Sequence, residues 1–569
     1  MAPLTPSTRA LGLADARVAQ PRRRRFGVTL TSDQLVVAAA VFWALAFNGA
    51  FFAAVSKGQA GDASAWGLLL ALAGALVALN VLLTGLLAHR RTVKLVIGAA
   101  TLAAAAGAWF IGAYGITLDP SMMRNVLRTD VAEARELLGS GFVLHMALFA
   151  GLPLLLLSRV TVARVPWRRA LLRRVALMLV ALLALVALVW SVFQPLSSLT
   201  RNQRELRYLV TPANLMWSTA AVLAADTRGA AKAREPIGLD AKAGASWAAR
   251  TRPLVVVLVV GETARAANWG LNGYARQTTP ELAQAGVVNF GDVHSCGTNT
   301  EMSLPCMFAP VGRRSYDEAR IRGQQSLLHV LGRAGVGIDW RDNQSGCKGV
   351  CDGLPALTID AGFAPNLCDG DRCLDEALSQ DLAQRLKRAQ GTQLWVLHML
   401  GNHGPSYYRR YPRAFARFEP DCRDDDLRKC SEQQVVNAYD NALLYTDHVL
   451  ASAIRTLKAA AADVDTALIY VSDHGESLGE HGLFLHGLPY ALAPEVQKRV
   501  PMVWWNSDGF ERASGLAAGC LMASMAAQAR QPVAHDHLFH TLLGALDVTT
   551  ALHEPALDLT QPCRTATGL

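Results

Sequence analysis

Residues 253–263 read PLVVVLVVGET, and this stretch decides the fold. Its apolar residues run without alternation from Leu254 to Val260 and stop at a polar Gly-Glu-Thr turn. A strand with one wet face would alternate, so a continuous run requires cover on both faces, as in a parallel sheet between two helical layers. The same pattern returns in TQLWVLHMLGNHGP (392–405), DTALIYVSDHGES (465–477) and PMVWWNSD (501–508), with helical stretches at 326–334 and 433–458 between them. Apolar strands alternating with helices predict an α/β domain on a mostly parallel sheet over residues 253–569. Such sheets bind ligands beyond the carboxyl ends of their strands. That edge is where Glu262, His403, Asp473 and His474 fall.

Upstream the composition changes. Five stretches, 34–56, 63–88, 95–118, 137–158 and 175–200, contain no Asp, Glu, Lys or Arg, and the shortest has 22 residues. A helix needs roughly 20 apolar residues to cross the hydrocarbon core. Buried helices of a soluble core would be shorter and carry charged ends, so five transmembrane helices are predicted within residues 34–200. Lysine and arginine set the orientation. The arm 1–33 has six arginines, and the loops 89–94 and 159–174 have three and six basic residues. The alternate loops, 57–62 and 119–136, have one and three, the latter offset by Asp119, Asp130, Glu133 and Glu136. The arm is therefore expected in the cytoplasm and the chain beyond the fifth span on the other side. An arginine run directly before a span reads as a topology signal rather than a nucleic-acid arm. The first apolar run is too long for a removable signal peptide and shows no clear cleavage site. Residues 201–252 read as a linker with helices near the membrane surface.

The cysteines test that topology independently. All ten, Cys296, Cys306, Cys347, Cys351, Cys368, Cys373, Cys422, Cys430, Cys520 and Cys563, lie in the segment placed outside. An even number confined there predicts disulfides in an oxidising compartment. Close spacing suggests the bridges Cys296–Cys306, Cys347–Cys351, Cys368–Cys373 and Cys422–Cys430, leaving Cys520 with Cys563. No C-x-x-C pair is present, which argues against a zinc ribbon.

At the sheet edge, Glu262, Asp473, His474 and His403 are joined by His481 and His486 from GEHGLFLHGLPY (479–490). One such histidine would be an ordinary structural residue, but carboxylates and imidazoles gathered together suit zinc. A divalent ion there gives a purpose to VHSCGTNTEMSLPCMF (293–308), an alcohol-rich loop between two cysteines. An alcohol is a poor nucleophile at neutral pH until a metal or a base activates it. Thr298, Thr300 and Ser303 are all candidates, and spacing does not choose among them. In isolation such a loop is a turn whose hydroxyls bond their own backbone.

Taken in order, five spans followed by GETAR, CGTNT…PCMF, DNQSGCKG, GNHGP, SDHGES and LHGLPY resemble the phosphoethanolamine transferases that modify lipid A, members of the alkaline phosphatase superfamily. The resemblance covers nearly the whole chain, although SDHGE alone would mark only the superfamily. It implies that Thr300, the second threonine of the loop, is the nucleophile, and that Glu262, Thr300, Asp473 and His474 hold zinc. It implies that His403 and His486 assist proton transfer or hold a second zinc, and that Ser345 and Lys348 contact the phosphate or ethanolamine end of the substrate. In RNVLRTDVAE (124–133), Asn125, Thr129 and Glu133 are four apart and share one face of a predicted helix. The resemblance implies that this face holds the ethanolamine phospholipid, with Glu133 beside the ammonium. The pairs Cys347/Cys351 and Cys368/Cys373 are not common to all members, and the resemblance assigns His481 no role, so it is expected behind the ligands or in solvent.

The expected protein is a zinc-dependent enzyme of the Gram-negative inner membrane, a monomer with a periplasmic catalytic domain. It would move phosphoethanolamine from phosphatidylethanolamine to a phosphate of lipid A through a threonine intermediate, and so confer polymyxin resistance. One zinc is expected, with a second as an option. A lipopolysaccharide core sugar, heptose or Kdo, is the alternative acceptor, and a phosphoglycerol transferase shares the same motifs. A sulfatase would need a C/S-x-P-x-R motif, which is absent. A transporter or scaffold would show Gly/Pro-interrupted spans or buried charge, and the spans have almost none. No nucleic-acid partner is expected.

Overall fold

The computed structural model describes residues 28–57, 63–129, 131–202, 204–230, 234–370 and 372–565. Most of the arginine-rich arm, residues 1–27, lies outside the described residues. The N-terminal part is helical: α1 (Ser32–Ala46), α2 (Gly49–Ser56), α3 (Ala63–Gly85), α4 (Val93–Tyr114), α5 (Pro120–Arg128), α6 (Val131–Glu136), α7 (Ser140–Arg159), α8 (Trp167–Ser191), α9 (Phe193–Asn202) and α10 (Ala213–Ala230). Among the described residues four of these, α3, α4, α7 and α8, are long and apolar enough to cross a membrane, and α1 with α2 makes a fifth if the bent pair is one span.

That pair is bent by 53° at Phe47–Asn48, within the stretch 34–56 that the sequence predicts as one transmembrane helix. The cause is Asn48, whose amide donates to the carbonyls of Trp43 and Thr211, each at 2.9 Å, and accepts from the Thr211 amide at 2.9 Å. A side chain that competes for ladder carbonyls kinks a helix. The bend therefore ties the first span to the chain that follows the last. The fifth span also differs from the expected 175–200. It starts at Trp167, because arginine stems can extend an apolar helix towards the headgroups, and Arg174 donates to Asp33 Oδ1 at 2.6 Å. It ends at Ser191, where the ring of Pro195 would collide with the carbonyl four residues back.

A third difference concerns the face expected to carry Asn125, Thr129 and Glu133. Thr129 leaves helical geometry (φ −60°, ψ 132°), so α5 and α6 are separate helices and the three residues do not lie on one continuous face. The Thr129 hydroxyl donates to the Asn125 carbonyl at 2.8 Å, taking the acceptor that a continuing helix would have used. The side chain of Glu133 lies outside the described residues.

The C-terminal domain is built on eight strands: β1 (Leu254–Gly261), β2 (Val288–His294), β3 (Gly337–Asp342), β4 (Ala356–Thr358), β5 (Thr392–His398), β6 (Asp465–Ser472), β7 (Arg499–Asn506) and β8 (Val533–Ala534). They pair in the order β8-β2-β7-β6-β1-β5-β3-β4, all parallel except β7, which runs antiparallel to both neighbours. The unbroken apolar run of β1 now has its reason. Leu254, Val256, Leu258 and Val260 enter one core, and Val255, Val257 and Val259 enter the other. None is more than 2% exposed, so each contributes about 1.5–3 kcal/mol of burial, which only a sheet covered on both faces can supply. The second core is closed by α12 (Glu432–Ala459), started by a capping box between Ser431 and Gln434, while α11 (Thr300–Met307) stands at the carboxyl edge.

Within the stretch 201–252, α10 packs on α5, and α5 in turn packs on α11. By Lys242 the chain already pairs with Val548–Thr549, and Trp247 Nε1 donates to the Leu546 carbonyl at 2.8 Å. The five disulfides link Cys296 with Cys306, Cys347 with Cys351, Cys368 with Cys373, Cys422 with Cys430, and Cys520 with Cys563.

Candidate active site

The two central strands create the site by register. β6 lies beside β1 with Ser472 opposite Gly261, so the next residues, Asp473 and Glu262, leave the sheet side by side. Glu262, Asp473 and His474 offer ligand atoms within 4.8 Å of one another, and all three are fully buried. Thr300 reaches this cluster from the start of α11, which Asn299 caps by accepting from the Met302 amide at 2.9 Å. The Thr300 hydroxyl is 2.9 and 3.1 Å from the Glu262 carboxylate oxygens and 3.3 Å from His474 Nε2. Thr298 and Ser303 point elsewhere. Thr298 donates to the Leu488 carbonyl at 2.6 Å, and Ser303 donates to the carbonyl of Asp473.

A divalent cation fits this donor set. Asp473 Oδ2 is buried and accepts no hydrogen bond among the described residues, while Oδ1 takes the amides of Thr263 and His474 at 3.1 and 2.7 Å. His474 Nδ1 bonds the Gly475 carbonyl at 2.9 Å, which leaves Nε2 turned to the two carboxylates at 3.2 and 3.4 Å. Burial, and then the Glu262 charge, push the Asp473 carboxyl up. Burial opposes a charge on His474, yet the Asp473 and Glu262 carboxylates raise it well above the ordinary imidazole range. The pocket thus demands positive charge, and two carboxylates, an imidazole and an alcohol suit zinc.

Two further histidines stand over the cluster. The ring of His486 is 4.2 Å from that of His474 and 5.8 Å from that of His403. Glu476 orients His486 through a contact of 3.2 Å to Nδ1 and is itself held by the Tyr407 hydroxyl at 3.0 Å. The exposed His481 sits at φ +56° in a tight turn away from this group. Ser345 and Lys348 follow β3. Lys348 Nζ donates to Ser345 Oγ at 2.6 Å, and Asp342 Oδ1 holds their loop by accepting the amides of Gln344 and Gly346 at 3.0 and 2.9 Å. Burial opposes ionisation of Asp342, but the charge of His398, 2.9 Å away, brings its carboxyl down to about 2. Asn125 and Thr129 are half-buried at the end of α5, whose Ser121 accepts from Asn299 Nδ2 at 3.2 Å.

Several supporting residues are invisible in the motifs. Asp375, fully enclosed, accepts the amides of Leu400 and Gly401 at 2.8 Å and so sets the turn before His403. A β-carbon on Gly401 would lie 2.6 Å from the Glu262 carbonyl, so only glycine lets this turn meet β1. His535 joins the nucleophile loop to β6, accepting the Cys296 amide at 3.0 Å and bonding the Ser472 carbonyl at 2.9 Å. Glu136, the last residue of α6, is 2.6 Å from Arg410, and Arg410 donates to the His403 carbonyl at 2.7 Å. Glu136 and Arg410 are each 4% exposed, and removal of one partner strands a buried charge. Glu136→Gln is therefore expected to lower stability by about 3–5 kcal/mol, read as a fall in the melting temperature of the full-length protein. An unchanged melting temperature would remove this contact from the account of domain docking.

Comparison with known proteins identifies the family and agrees with the fold. A sulfatase family model matches residues 255–548, and the model described as phosphoethanolamine transferase EptA/EptB matches residues 76–227. Phosphoethanolamine transferase EptA of Escherichia coli K12 is 38% identical over 467 residues, which cover 81% of this chain and 84% of the relative. Phosphatidylethanolamine transferase Mcr-1 of Escherichia coli is 37% identical, with 90% of this chain and 95% of the relative covered. The structure of the integral membrane protein lipooligosaccharide phosphoethanolamine transferase A from Neisseria meningitidis superposes with a TM-score of 0.88 at 35% identity, covering 94% of this chain and 99% of that one.

Proposed function

This chain belongs to the family of membrane-bound phosphoethanolamine transferases with a sulfatase-type domain, and on that premise we propose that it transfers phosphoethanolamine from phosphatidylethanolamine to a phosphate of lipid A. The observation that carries the reading is the Thr300 hydroxyl, held 2.9 Å from Glu262 and 3.3 Å from His474 at the carboxyl edge of the sheet. In the first step Thr300 Oγ1 forms a bond to the donor phosphorus, the bond to diacylglycerol breaks, and the threonine proton ends on the departing alcohol. In the second, a phosphate oxygen of lipid A bonds the same phosphorus and the threonine ester breaks, restoring the hydroxyl. Glu262 orients the hydroxyl by accepting its hydrogen bond. His486, with its ring 4.2 Å from that of His474, and His403, with its ring 5.8 Å from that of His486, would give and take the proton at the leaving and entering oxygens. Lys348, with Ser345 beside it, offsets phosphate charge.

Glu262, Asp473 and His474, with Thr300, would hold one zinc, and His403 with His486 offers room for a second. Zinc supplies positive charge that lowers the cost of ionising the alcohol and of the negative charge that builds on phosphorus. The half-buried Asn125 and Thr129, with Glu133, would face the donor headgroup from the end of α5 and α6. The five spans would place the chain in the inner membrane, with the N-terminus cytoplasmic and residues 253–569 periplasmic, where the five disulfides form. A monomer suffices for this chemistry, because every proposed ligand comes from one chain.

An ammonium-bearing cap reduces the negative charge of the outer surface and weakens its attraction for polybasic peptides. Mass spectrometry of lipid A from a Gram-negative host expressing the chain is expected to show a phosphoethanolamine increment on a phosphate, together with lower polymyxin sensitivity. Well-expressed protein that leaves lipid A unmodified would defeat the assignment of the acceptor and move the search to the core sugars.

A further inference from the structure

The proposed nucleophile and the metal ligands follow strands that the sheet does not pair. The loop that leads to Thr300 leaves β2, and Asp473 leaves β6, but β7 runs between those two strands and is antiparallel to both. Sheet hydrogen bonds therefore do not tie the carboxyl end of β2 directly to that of β6. The disulfide Cys296–Cys306 does not tie them either, since it closes the loop onto its own helix, α11. Thr298 binds the loop to the Leu488 carbonyl, on a different segment.

Two side chains span the gap. Ser303, on α11, donates its hydroxyl to the Asp473 carbonyl. The other is His535, which is 2% exposed. Its backbone is fixed on both sides. β8 pairs with β2 through Val533–Val293 and Ala534–His294, the His535 amide donates to the His294 carbonyl at 3.0 Å, and the helix Asp536–Leu546 starts at the next residue. From this platform the ring reaches across to β6. Nδ1 accepts the Cys296 amide at 3.0 Å, and Nε2 meets the Ser472 carbonyl at 2.9 Å. Only a bare ring nitrogen accepts an amide proton, so the ring proton is on Nε2, which donates to Ser472. One neutral tautomer satisfies both contacts. Cys296 is four residues before Thr300, and Ser472 directly precedes Asp473.

We propose that His535 is a positioning residue for the transfer: its Nδ1 holds the nucleophile loop at Cys296 and so sets the distance of the Thr300 hydroxyl from Glu262 and His474. The inference rests on the reading that Thr300 is the nucleophile. His535 acts through the backbone of the loop. A displacement of about 1 Å at a reacting atom can cost about a hundredfold in rate.

Asparagine and glutamine separate the two ends of the ring. Asparagine places an acceptor where Nδ1 lies but is too short for Ser472. Glutamine reaches Ser472 with a donor but leaves the Cys296 amide without its acceptor. Each forfeits one buried hydrogen bond, so the two variants are expected to melt alike, and a merely structural histidine would lose activity alike in both. The test uses full-length, zinc-loaded protein in detergent. Adduct formation on Thr300 is timed by intact-protein mass spectrometry over a range of phosphatidylethanolamine concentrations. His535→Gln is expected to slow the saturated rate roughly ten- to hundredfold, with the half-saturating donor concentration and the zinc content within about twofold of the wild type. His535→Asn is expected to stay within about threefold of the wild type. Hydrogen exchange over residues 295–303, measured without donor, should be slow in the wild type and in His535→Asn and faster in His535→Gln.

Equal slowing in both variants would overturn the proposal, as would a loss that appears in half-saturation or in zinc content. Unchanged exchange in His535→Gln would do the same. Fast exchange of this segment in the wild type would overturn it whatever the variants do. The transfer reading fails separately: wild-type protein that acquires no phosphoethanolamine on Thr300 would end that reading, and the exchange measurement would then decide alone whether His535 holds the loop.

Discussion

Thr300→Ala is expected to lower transfer by about a thousandfold or more, the scale on which removal of a nucleophile acts. The covalent intermediate should vanish with it. Intact-protein mass spectrometry after incubation with phosphatidylethanolamine would show a phosphoethanolamine adduct on the wild type and none on the variant. Folding should survive. Thr300 is 4% exposed, but alanine removes only the hydroxyl and one methyl, and Glu262 keeps the 2.6 Å hydrogen bond from Thr263. Thr300→Ser retains the alcohol and should keep a measurable fraction of activity. If the alanine variant still formed an adduct, the nucleophile would have to be another hydroxyl of the loop. Thr298 and Ser303 are poorly placed for that, since each is committed to a backbone carbonyl on a neighbouring segment.

Removal of divalent metal is expected to abolish transfer and to lower the melting temperature. Glu262 and Asp473 are fully buried, and His474 Nε2 lies 3.2 and 3.4 Å from their carboxylates. A cation held there binds the folded state and not the unfolded one. At 100 to 1,000 times its dissociation constant it stabilises by about 2.7–4.1 kcal/mol. For a domain of this size that corresponds to a fall of roughly 4–6 °C on chelation. Zinc added back should restore both readouts together, and Asp473→Asn should make neither recoverable at ordinary zinc concentrations. Protein that contains no metal as purified, works in the presence of a chelator and melts at the same temperature would refute the metal centre.

Much of this architecture was legible because it is written in neighbouring residues. The unbroken run from Leu254 to Val260 could satisfy its side chains only between two apolar layers, and both layers are present. The polar residues that end β1 and β6 were legible as an edge for the same reason, since a parallel sheet brings its carboxyl ends together. Charge-free stretches marked the spans, but their ends were misplaced where a single residue acts through space. Asn48 bends the first span by bonding Thr211, which is 163 residues away. Pro195 splits the last apolar stretch, and a threonine hydroxyl ends the helix on which Asn125 sits. In the sequence Glu136 is one of four acidic residues offsetting the basic ones of a loop. Its partner Arg410 is 274 residues away, and no local pattern relates the two.

The sequence by itself determined the class of the protein: a helical membrane part, a doubly covered parallel sheet, paired cysteines and an alcohol-rich loop. Hydrophobic period and charge placement are local properties, so a linear reading suffices for them. The tertiary structure alone decided which atoms meet. It turned Thr300 to Glu262 and His474, set His486 4.2 Å from His474, and joined Cys296 to Ser472 through His535. Those distances depend on strand register, helix capping and packing between segments hundreds of residues apart, and each is set by the lowest free energy of the whole chain.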